Sequence, residues 1–156
     1  MSQKNILKKA NKQDVKELEK LLEVVVNDLN KKGFHYWDGV YDQEKLYQNI
    51  GNIYKIVVDN KIIGAVNLSD TAPLYYIKQY AKKATYLSML CIHPDYRNRY
   101  NSLIIKAISS ISTPTIILDC TIVNRKLNNL YIRIGAAKID NVNIENYNGI
   151  VYKILN

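Results

Sequence analysis

The stretch ATYLSMLCI, residues 84–92, restricts the possible folds more than any other part of the sequence. It is almost continuously apolar, and a strand-length run of this kind is typical of a strand that is buried on both faces. Such a strand needs a packed layer above and below it. The chain is therefore expected to fold in layers around a central sheet.

The other elements predicted from hydrophobic periodicity and turn residues alternate between strands and helices. In chain order they are a strand at 5–10, a helix that is capped by Asn11 or Asp14 and ends near Gly33, a short helix at 43–50, a hairpin at 53–68 with its turn at Asp59-Asn60, the strand at 84–92, a helix at 101–111, a strand at 115–120, a helix at 124–136, and strands at 137–143 and 149–154 with a turn around Asn148-Gly149. This order predicts an α/β (α+β) fold, a mixed sheet with helices on both faces. The length of 156 residues suits one domain spanning 1–156.

Composition excludes several classes of protein. No apolar run approaches the roughly 20 residues of a membrane span, and the N-terminus becomes polar too early for a signal peptide, so we predict a cytoplasmic protein. Cys91 and Cys120 lie in apolar strands and are expected to be buried, reduced thiols. Neither CxxC nor HExxH occurs, so no metal site is predicted. The net charge of +8 suits an anionic partner. The lysines are scattered along the sequence, however, so a nucleic-acid-binding module is a low-ranked hypothesis.

The hairpin YKIVVDNKIIGAVNL is followed by two segments in which particular residues recur at characteristic spacings. In YLSMLCIHPDYRNRYNSLIIKAI the spaced residues are Leu90, Ile92, Pro94, Tyr96, Arg97 and Leu103. In IILDCTIVNRKLNNLYIRIGA they are Asn124, Tyr131 and Gly135. Together, and in this order, these segments resemble the GNAT superfamily of acyl-CoA N-acyltransferases over nearly the whole chain.

The resemblance implies a mostly antiparallel sheet that is splayed between its fourth and fifth strands. It also implies an acetyl-CoA-dependent N-acetyltransferase, which moves an acetyl group directly to a primary amine of a small molecule or a protein N-terminus. Backbone groups near residues 90–92 would pair with the pantetheine arm and polarise the thioester carbonyl. The amides of residues 97–102, at a helix N-terminus, would hold the pyrophosphate. The cofactor-binding residues implied in this way are Leu90, Cys91, Ile92, Arg97, Asn98, Arg99, Tyr100, Asn101, Ser102 and Asn124.

The pyrophosphate loop departs from the family pattern because it contains no glycine. Tyr100 and Ser102 occupy the glycine positions, and Asn98 stands where a further glycine is frequent. A left-handed backbone is costly for a residue as bulky as Tyr100, whose ring would also compete with the phosphates for space. The helix end and two arginines still suit an anion. The alternative is a non-catalytic GNAT-like domain that has lost normal coenzyme A binding.

Several side chains have both a catalytic and a structural interpretation. Tyr131 is the implied general acid that protonates the leaving thiolate, or else a core aromatic residue. Asn124 contacts the coenzyme or caps the helix that it begins. Asp119 faces the acceptor or satisfies nearby backbone groups. His93 is predicted to be structural, and a nucleophilic role for Cys120 is not expected, because transfer in this family is direct.

The acceptor pocket is predicted from residues 33–45 and 69–83, which are rich in aromatic rings. These rings are Phe34, His35, Tyr36, Trp37, Tyr41, Tyr75, Tyr76 and Tyr80. They either line a pocket for an amine or form a small satellite core, and the few acidic residues near them in sequence argue against a polycationic acceptor. The general base stays open among Glu44, His35, Tyr36, Asp119 and a water chain. A homodimer is compatible with the family, although no interface is evident in the sequence.

Overall fold

A computed structural model describes residues 6–35, 37, 41–73, 76, 80, 83–144 and 147–155. The chain divides into two compact units. The first unit contains the described residues of Met1–Asn67 and Met89–Ser110, and the second contains those of Leu68–Ser88 and Ile111–Asn156. No helix in the part that the structure describes has the length and apolar character to cross a membrane.

One seven-stranded sheet runs through the chain in the order β1-β2-β3-β4-β5-β7-β6. Its strands are β1 (Leu7–Lys9), β2 (Ile53–Val58), β3 (Lys61–Ser69), β4 (Thr85–Ile92), β5 (Thr115–Thr121), β6 (Ala137–Ile144) and β7 (Tyr147–Leu155). The helices are α1 (Val15–Lys31), α2 (Gln43–Asn49), α3 (Asn101–Ile111) and α4 (Arg125–Arg133). The β4–β5 pair is parallel and joins Thr85–Leu87 to Ile116–Leu118, whereas β1–β2, β2–β3, β5–β7 and β6–β7 are antiparallel. The predicted fold class, a mixed and mostly antiparallel sheet with helices, is confirmed.

In the first unit, α1 forms because apolar residues recur at helical spacing along one face. The buried residues of this face are Val15, Leu18, Leu21, Leu22, Val25 and Leu29. They pack against Leu46 of α2, Ile53 and Ala65 of the hairpin, and Met89 and Cys91 of β4. This cluster is the hydrophobic core of the first unit.

The N-terminus of this helical region is capped in two steps. Asn11 begins a short 3-10 turn at Lys12–Asp14, where its side chain accepts a hydrogen bond from the amide of Gln13 at 2.9 Å. The carboxylate of Asp14 accepts a hydrogen bond from the amide of Asn11, also at 2.9 Å. Asn11 is thus the cap residue of a capping box that Asp14 completes, whereas Asp14 makes no side-chain cap hydrogen bond to α1 itself.

The β2–β3 hairpin turns at Asp59 and Asn60, as predicted, because both residues adopt left-handed backbone conformations with φ of +50° and +62°. Two consecutive positive φ angles match the twist of the flanking strands, and Asp and Asn tolerate them. Further along β3, a Cβ atom on Gly64 would lie 2.5 Å from the carbonyl oxygen of Cys91. Glycine at this position therefore allows β3 and β4 to approach closely.

In the second unit, β5 is paired along its whole length with β7, and β6 forms the outer strand beside β7. The predicted turn at Asn148-Gly149 is wrong: β6 ends at Ile144 and β7 begins at Tyr147, so both residues lie inside β7. The ring of Tyr147 lies over Gly149, 2.7 Å from the position that a Cβ atom would take.

Candidate functional site in the β4–α3 segment

The strand β4 changes its backbone conformation in the middle. Met89 has φ of +55° although it is not a glycine, and it follows the three residues that pair with β5. Left-handed backbone inside a strand interrupts the hydrogen-bond ladder and redirects the following peptide groups, as in a β-bulge. A non-glycine residue held in this region also carries a strain of roughly 1–3 kcal/mol, which is typical of functional segments.

The residues that follow Met89 are fully buried on one face of the strand and partly buried on the other, whereas the apolar sequence predicts burial on both faces. Leu90 and Ile92 are partly buried, and Cys91 is only 4% exposed. Burial raises the pKa of the Cys91 thiol to about 12, although a backbone hydrogen bond from Ala65 and the charge of Arg97 act in the opposite direction. Cys91 is therefore a protonated structural thiol, and the polar groups that this strand offers are those of its backbone.

The loop after β4 begins with a structural histidine. The ring nitrogen Nδ1 of His93 accepts a hydrogen bond from the amide of Asp95 at 3.1 Å and so caps the 3-10 turn Pro94–Tyr96. The amide of His93 donates to the carbonyl of Ile63 at 2.7 Å. These bonds account for His93 as a residue that positions the start of the loop, in agreement with its predicted structural role.

The left-handed residue of the loop is Asn98, with φ of +66°, and not Tyr100. The cost that a left-handed backbone would have at Tyr100 therefore does not arise. Asparagine is among the residues that best tolerate a left-handed backbone. Tyr100 instead precedes α3 as its N-cap residue, and its ring lies beside that of Tyr96 with ring centroids 6.5 Å apart.

The N-terminus of α3 presents amides that have no partner within the helix. The first helical hydrogen bond runs from the amide of Ile104 to the carbonyl of Tyr100 at 2.9 Å. The amides of Asn101, Ser102 and Leu103 precede this bond, and such first-turn donors attract anions together with the positive end of the helix dipole. The helix extends over 11 residues, which is long enough for a developed dipole.

Arg97, the loop residue that keeps the family pattern, is paired with Asp28 of α1. One of its guanidinium nitrogens donates to the Asp28 carboxylate at 2.5 Å, and Lys32 reaches the same carboxylate at 3.1 Å. Burial would raise the pKa of Asp28, but hydrogen bonds and charges from Arg97 and Lys32 outweigh it and hold this pKa below its usual value. The pair fastens the loop to α1 and uses part of the positive charge of Arg97. Arg99 is exposed.

The remaining two site residues predicted from sequence, Asn124 and Tyr131, belong to the second unit. The side chain of Asn124 accepts a hydrogen bond from the amide of Leu127 at 3.1 Å, which is the expected geometry of a helix cap. Tyr131 is 3% exposed, and its ring lies 5.9 Å from that of Tyr152. Tyr131 is therefore a buried aromatic residue on the inner face of α4.

Asn128, which the sequence analysis did not single out, organises the same region. Its amide nitrogen donates to the carbonyls of Thr121 and Asn124, both at 2.9 Å, and its amide oxygen accepts from the hydroxyl of Tyr152 at 2.7 Å. In the sequence, the indication of this role was an asparagine one helical turn after the cap residue Asn124. These bonds connect the start of α4 to β5 and β7 and thereby fix the helix that carries Tyr131.

A second set of polar contacts lies on β5 and β6. The carboxylate of Asp119 accepts hydrogen bonds from the hydroxyl of Tyr76, at 2.8 Å, and from that of Tyr147. The hydroxyl of Tyr80 donates to Asp140 at 2.7 Å. Asp119 thus receives hydrogen bonds from side chains as well, and not from nearby backbone groups alone. Two described residues of segment 69–83, Tyr76 and Tyr80, thus meet carboxylates from other parts of the chain.

The two aromatic segments contribute rings to different cores. Phe34, Trp37 and Tyr41 pack against the core of the first unit, and the Trp37 and Tyr41 rings meet edge to face at 5.4 Å. Tyr76 and Tyr80 belong to the second unit. Tyr36 and Tyr75 lie outside the described residues. The satellite-core interpretation therefore fits Phe34, Trp37 and Tyr41, whereas His35 is exposed.

The other candidates for a general base do not stand out. Glu44 and His35 are both exposed, and Tyr36 lies outside the described residues. The thiol of Cys120 has its pKa raised to about 12, first by burial and then by the charge of Asp119, so it is a poor nucleophile. No group of three or more His, Cys, Asp and Glu side chains suited to a metal ion occurs among the described residues.

Comparison with known proteins places the fold. No protein-family model matches the sequence, and no curated protein matches it. Among solved structures, a GNAT family acetyltransferase from Streptococcus agalactiae has a TM-score of 0.84 at 15% identity, covering 96% of this chain and 94% of its own. One from Listeria monocytogenes has a TM-score of 0.74 at 20% identity, covering 96% and 93%.

A third similar structure is an acetyltransferase from Salmonella typhimurium that modifies the N-terminal serine of ribosomal protein L7/L12. Its TM-score is 0.69 at 16% identity, and the match covers 96% of this chain and 93% of that one. At such low identities the similarity shows the fold, and it covers nearly the whole length of every chain. The chain therefore has the fold of the GNAT family of acetyltransferases.

Proposed function

We propose that this protein is an acetyl-CoA-dependent N-acetyltransferase, which transfers an acetyl group directly to a primary amine of a small molecule or a protein N-terminus. The observation that carries the proposal is the N-terminus of α3. There, Asn98 supplies the left-handed backbone and the amides of residues 101–103 precede the first helical hydrogen bond. Such an arrangement suits the pyrophosphate of coenzyme A. Acetyl transfer by similarly folded enzymes supports the choice of cosubstrate.

In this proposal the backbone of β4 and the start of α3 bind the cosubstrate. The peptide groups of residues 90–92, after the left-handed Met89, pair with the pantetheine arm, and an amide near Cys91 stabilises the negative charge on the thioester oxygen. The pyrophosphate accepts hydrogen bonds from the loop and helix amides of residues 97–102. Arg99 contributes charge, and Arg97 chiefly holds the loop against α1. Asn124 contributes by capping the helix that carries Tyr131.

The chemistry is a direct transfer. A neutral amine nitrogen attacks the carbonyl carbon of the thioester, the carbon–sulfur bond breaks, and the thiolate of coenzyme A leaves. Tyr131 donates its phenolic proton to that sulfur and regains a proton from solvent, while the surplus proton of the amine passes to a base or to water. Cys91 and Cys120 take no part, because burial keeps both thiols protonated.

The binding step is tested by calorimetric titration with acetyl-CoA of the wild type, Asn101→Pro and Asn101→Ala. Asn101 is the first residue of α3, where proline removes one amide donor and still suits the helix. A hydrogen bond to a charged group contributes about 1.5–3 kcal/mol. Asn101→Pro should therefore bind roughly 10- to 100-fold more weakly, while Asn101→Ala, which keeps the amide, should bind like the wild type. Equal affinities of all three proteins would contradict the proposed pyrophosphate site.

The catalytic step is tested with Tyr131→Phe, which keeps the buried ring and removes the hydroxyl. Release of coenzyme A in the presence of a panel of primary amines should slow by roughly 100-fold or more, which is the usual contribution of a general acid. The affinity for acetyl-CoA should stay unchanged. A rate equal to that of the wild type would remove Tyr131 from the mechanism.

The pairing of Arg97 with Asp28 favours a second candidate, a non-catalytic GNAT-like domain that has lost normal coenzyme A binding. Here Arg97 serves to fasten the loop, and the loop has no glycine. Titration with acetyl-CoA separates the two functions. The absence of heat at high micromolar concentration, with the protein folded, would favour the second candidate and exclude the first.

A further inference from the structure

The second unit contains a cluster of phenols and carboxylates that the proposed transfer does not use. Asp119 on β5 accepts hydrogen bonds from Tyr76 and Tyr147. We call Asp119, these two tyrosines, Tyr80 and Tyr86 the Asp119 cluster. The rings of Tyr76 and Tyr80 meet edge to face at 5.6 Å, and those of Tyr76 and Tyr86 at 6.0 Å. Four tyrosines are thus connected to one carboxylate through rings or hydroxyls.

The register of the strands places a second carboxylate, that of Asp140, on the same face of the sheet as Asp119. Asp119 lies opposite Val151 of β7, and Val151 lies opposite Asp140 of β6. Residues directly opposite each other project from the same face of a sheet, so both carboxylates belong to one face. The hydroxyl of Tyr80 bonds to Asp140, and its pKa is raised to about 12 by burial first and then by Asp140 and Asp119. Both negative charges therefore act on the same phenol.

Tyr86 supplies an independent indication of a ligand. It is 4% exposed, and its hydroxyl is buried without a hydrogen-bond partner in the structure. Tyr86 lies opposite Ile117, and Ile117 is two residues from Asp119 on the same strand, so Tyr86 shares the face of Asp119. A buried hydroxyl without a hydrogen-bond partner destabilises the fold, so a ligand that bonds to this hydroxyl removes that penalty.

The chemistry of the cluster selects the kind of ligand. Carboxylates accept hydrogen bonds, phenols accept or donate them, and aromatic rings attract cations to their faces. A primary ammonium group offers three donors and a positive charge, which suits all of these partners. We propose that the Asp119 cluster binds a protonated primary ammonium group of a small organic ligand, with Asp119 as the charged partner and the hydroxyl of Tyr86 as an acceptor.

An ammonium site at Asp119 would also restrict the acceptors of the proposed acetyltransferase, an inference that rests on the proposed function. A carboxylate close to an amine favours its charged form. An amine bound to Asp119 therefore keeps its proton and its nitrogen lone pair is not available for attack on a thioester. The cluster would hold a second, unreacting ammonium group, so the favoured acceptors are diamines and other amines that carry an additional positive charge.

The proposal is tested first by binding alone, without acetyl-CoA, using n-butylamine and its neutral counterpart 1-butanol as probes at pH 7. The readouts are titration calorimetry and the ultraviolet difference spectrum of the tyrosines. Asp119→Asn removes the charge and keeps an oxygen for the phenols. Asp59→Asn is the matched control, because it removes one carboxylate in a hairpin turn where asparagine also fits the left-handed backbone.

We expect n-butylamine to bind the wild type and Asp59→Asn alike, and Asp119→Asn at least tenfold more weakly, with no comparable binding of 1-butanol. Tyr86→Phe keeps the ring and removes the unpaired hydroxyl. Removal of this hydroxyl should raise the unfolding temperature in either case. The affinity for n-butylamine distinguishes the two roles: it stays unchanged if the hydroxyl serves only the fold, and we expect it to fall.

Equal binding of n-butylamine to the wild type and Asp119→Asn, equal binding of amine and alcohol, or no binding of the amine would each overturn the proposal. Acceptor selectivity is a separate readout. The ratio of kcat/KM for 1,4-diaminobutane to that for n-butylamine should exceed one in the wild type and fall about tenfold in Asp119→Asn. If no amine is acetylated, the transferase proposal fails, and the binding experiment still decides the ammonium site.

Discussion

The close approach of Gly64 to the backbone of β4 yields a quantitative test of how β3 and β4 are held together. A Cβ atom on Gly64 would lie 2.5 Å from the carbonyl oxygen of Cys91, 2.9 Å from Cδ1 of Ile92 and 3.0 Å from Cδ1 of Ile56. The isoleucine methyl groups can rotate away, but the carbonyl belongs to the backbone of β4. Gly64→Ala therefore forces the two strands apart by roughly one ångström before ordinary van der Waals contact is restored.

The cost follows from two opposing effects. Forcing a methyl group into a packed region costs about 1–3 kcal/mol, whereas replacing glycine by alanine stabilises by about 0.4–1 kcal/mol through the entropy of the unfolded chain. Gly51→Ala is the matched control, because nothing lies within 4 Å of a Cβ atom at that position and its φ is not left-handed. Gly51→Ala experiences only the second effect, so the difference between the two variants isolates the clash.

The assay is thermal and denaturant unfolding of the wild type and both variants. Gly64→Ala should be less stable than Gly51→Ala by about 1–3 kcal/mol, and for a chain of this size each kcal/mol lowers the unfolding temperature by about 2–4 °C. A central expectation is a difference of about 4–8 °C. Equal stability of Gly64→Ala and Gly51→Ala would show that the approach of Gly64 to Cys91 does not constrain the strands.

Three further predictions address thiol reactivity, buried hydrogen bonds and pH. Cys91 and Cys120, whose pKa values are raised to about 12 by burial, should both resist a thiol reagent at pH 8 in the native protein and react fully in denaturant; rapid native labelling of either would contradict this burial. Asn128→Ala should lower stability by about 2–3 kcal/mol because it leaves the hydroxyl of Tyr152 unpaired, and combining it with Tyr152→Phe should recover part of that loss; strictly additive effects would refute the coupling. The pKa of Tyr80 in the folded protein is about 12, above the ordinary value of 10.0, so the unfolded chain loses this proton first and stability should fall as pH rises from 10 towards 12; Tyr80→Phe should show a smaller fall, and an identical pH profile would exclude Tyr80 as its source.

Local patterns were sufficient to predict most elements of the fold. The buried face of α1 contains the residues expected from their helical spacing, because an amphipathic period directly states which positions face the core. The Asp59-Asn60 turn was correct because these residue types tolerate the backbone that a two-residue hairpin needs. The order of elements and two spaced motifs were likewise sufficient to indicate the GNAT fold.

The site was predicted less completely, because its details depend on contacts between distant residues. Arg97 was expected to serve an anion, but it pairs with Asp28, which is 69 positions away in the sequence. Tyr100 occupies a glycine position of the family pattern, but the left-handed residue of the loop is Asn98. Asn148-Gly149 has the composition of a turn, but Gly149 lies inside β7, where it pairs with Thr121 of β5 and Val142 of β6. None of these outcomes follows from neighbouring residues alone.

The sequence by itself therefore determined where strands and helices form and which of their faces are apolar, because these properties depend on residues a few positions apart. The tertiary structure decided which polar groups meet: Asp119 with Tyr76 and Tyr147, and Asn128 with Tyr152. Such pairs depend on the order and register of strands in the sheet. The local sequence pattern indicates which residues form a strand, whereas the neighbouring strands in the sheet depend on burial across the whole chain.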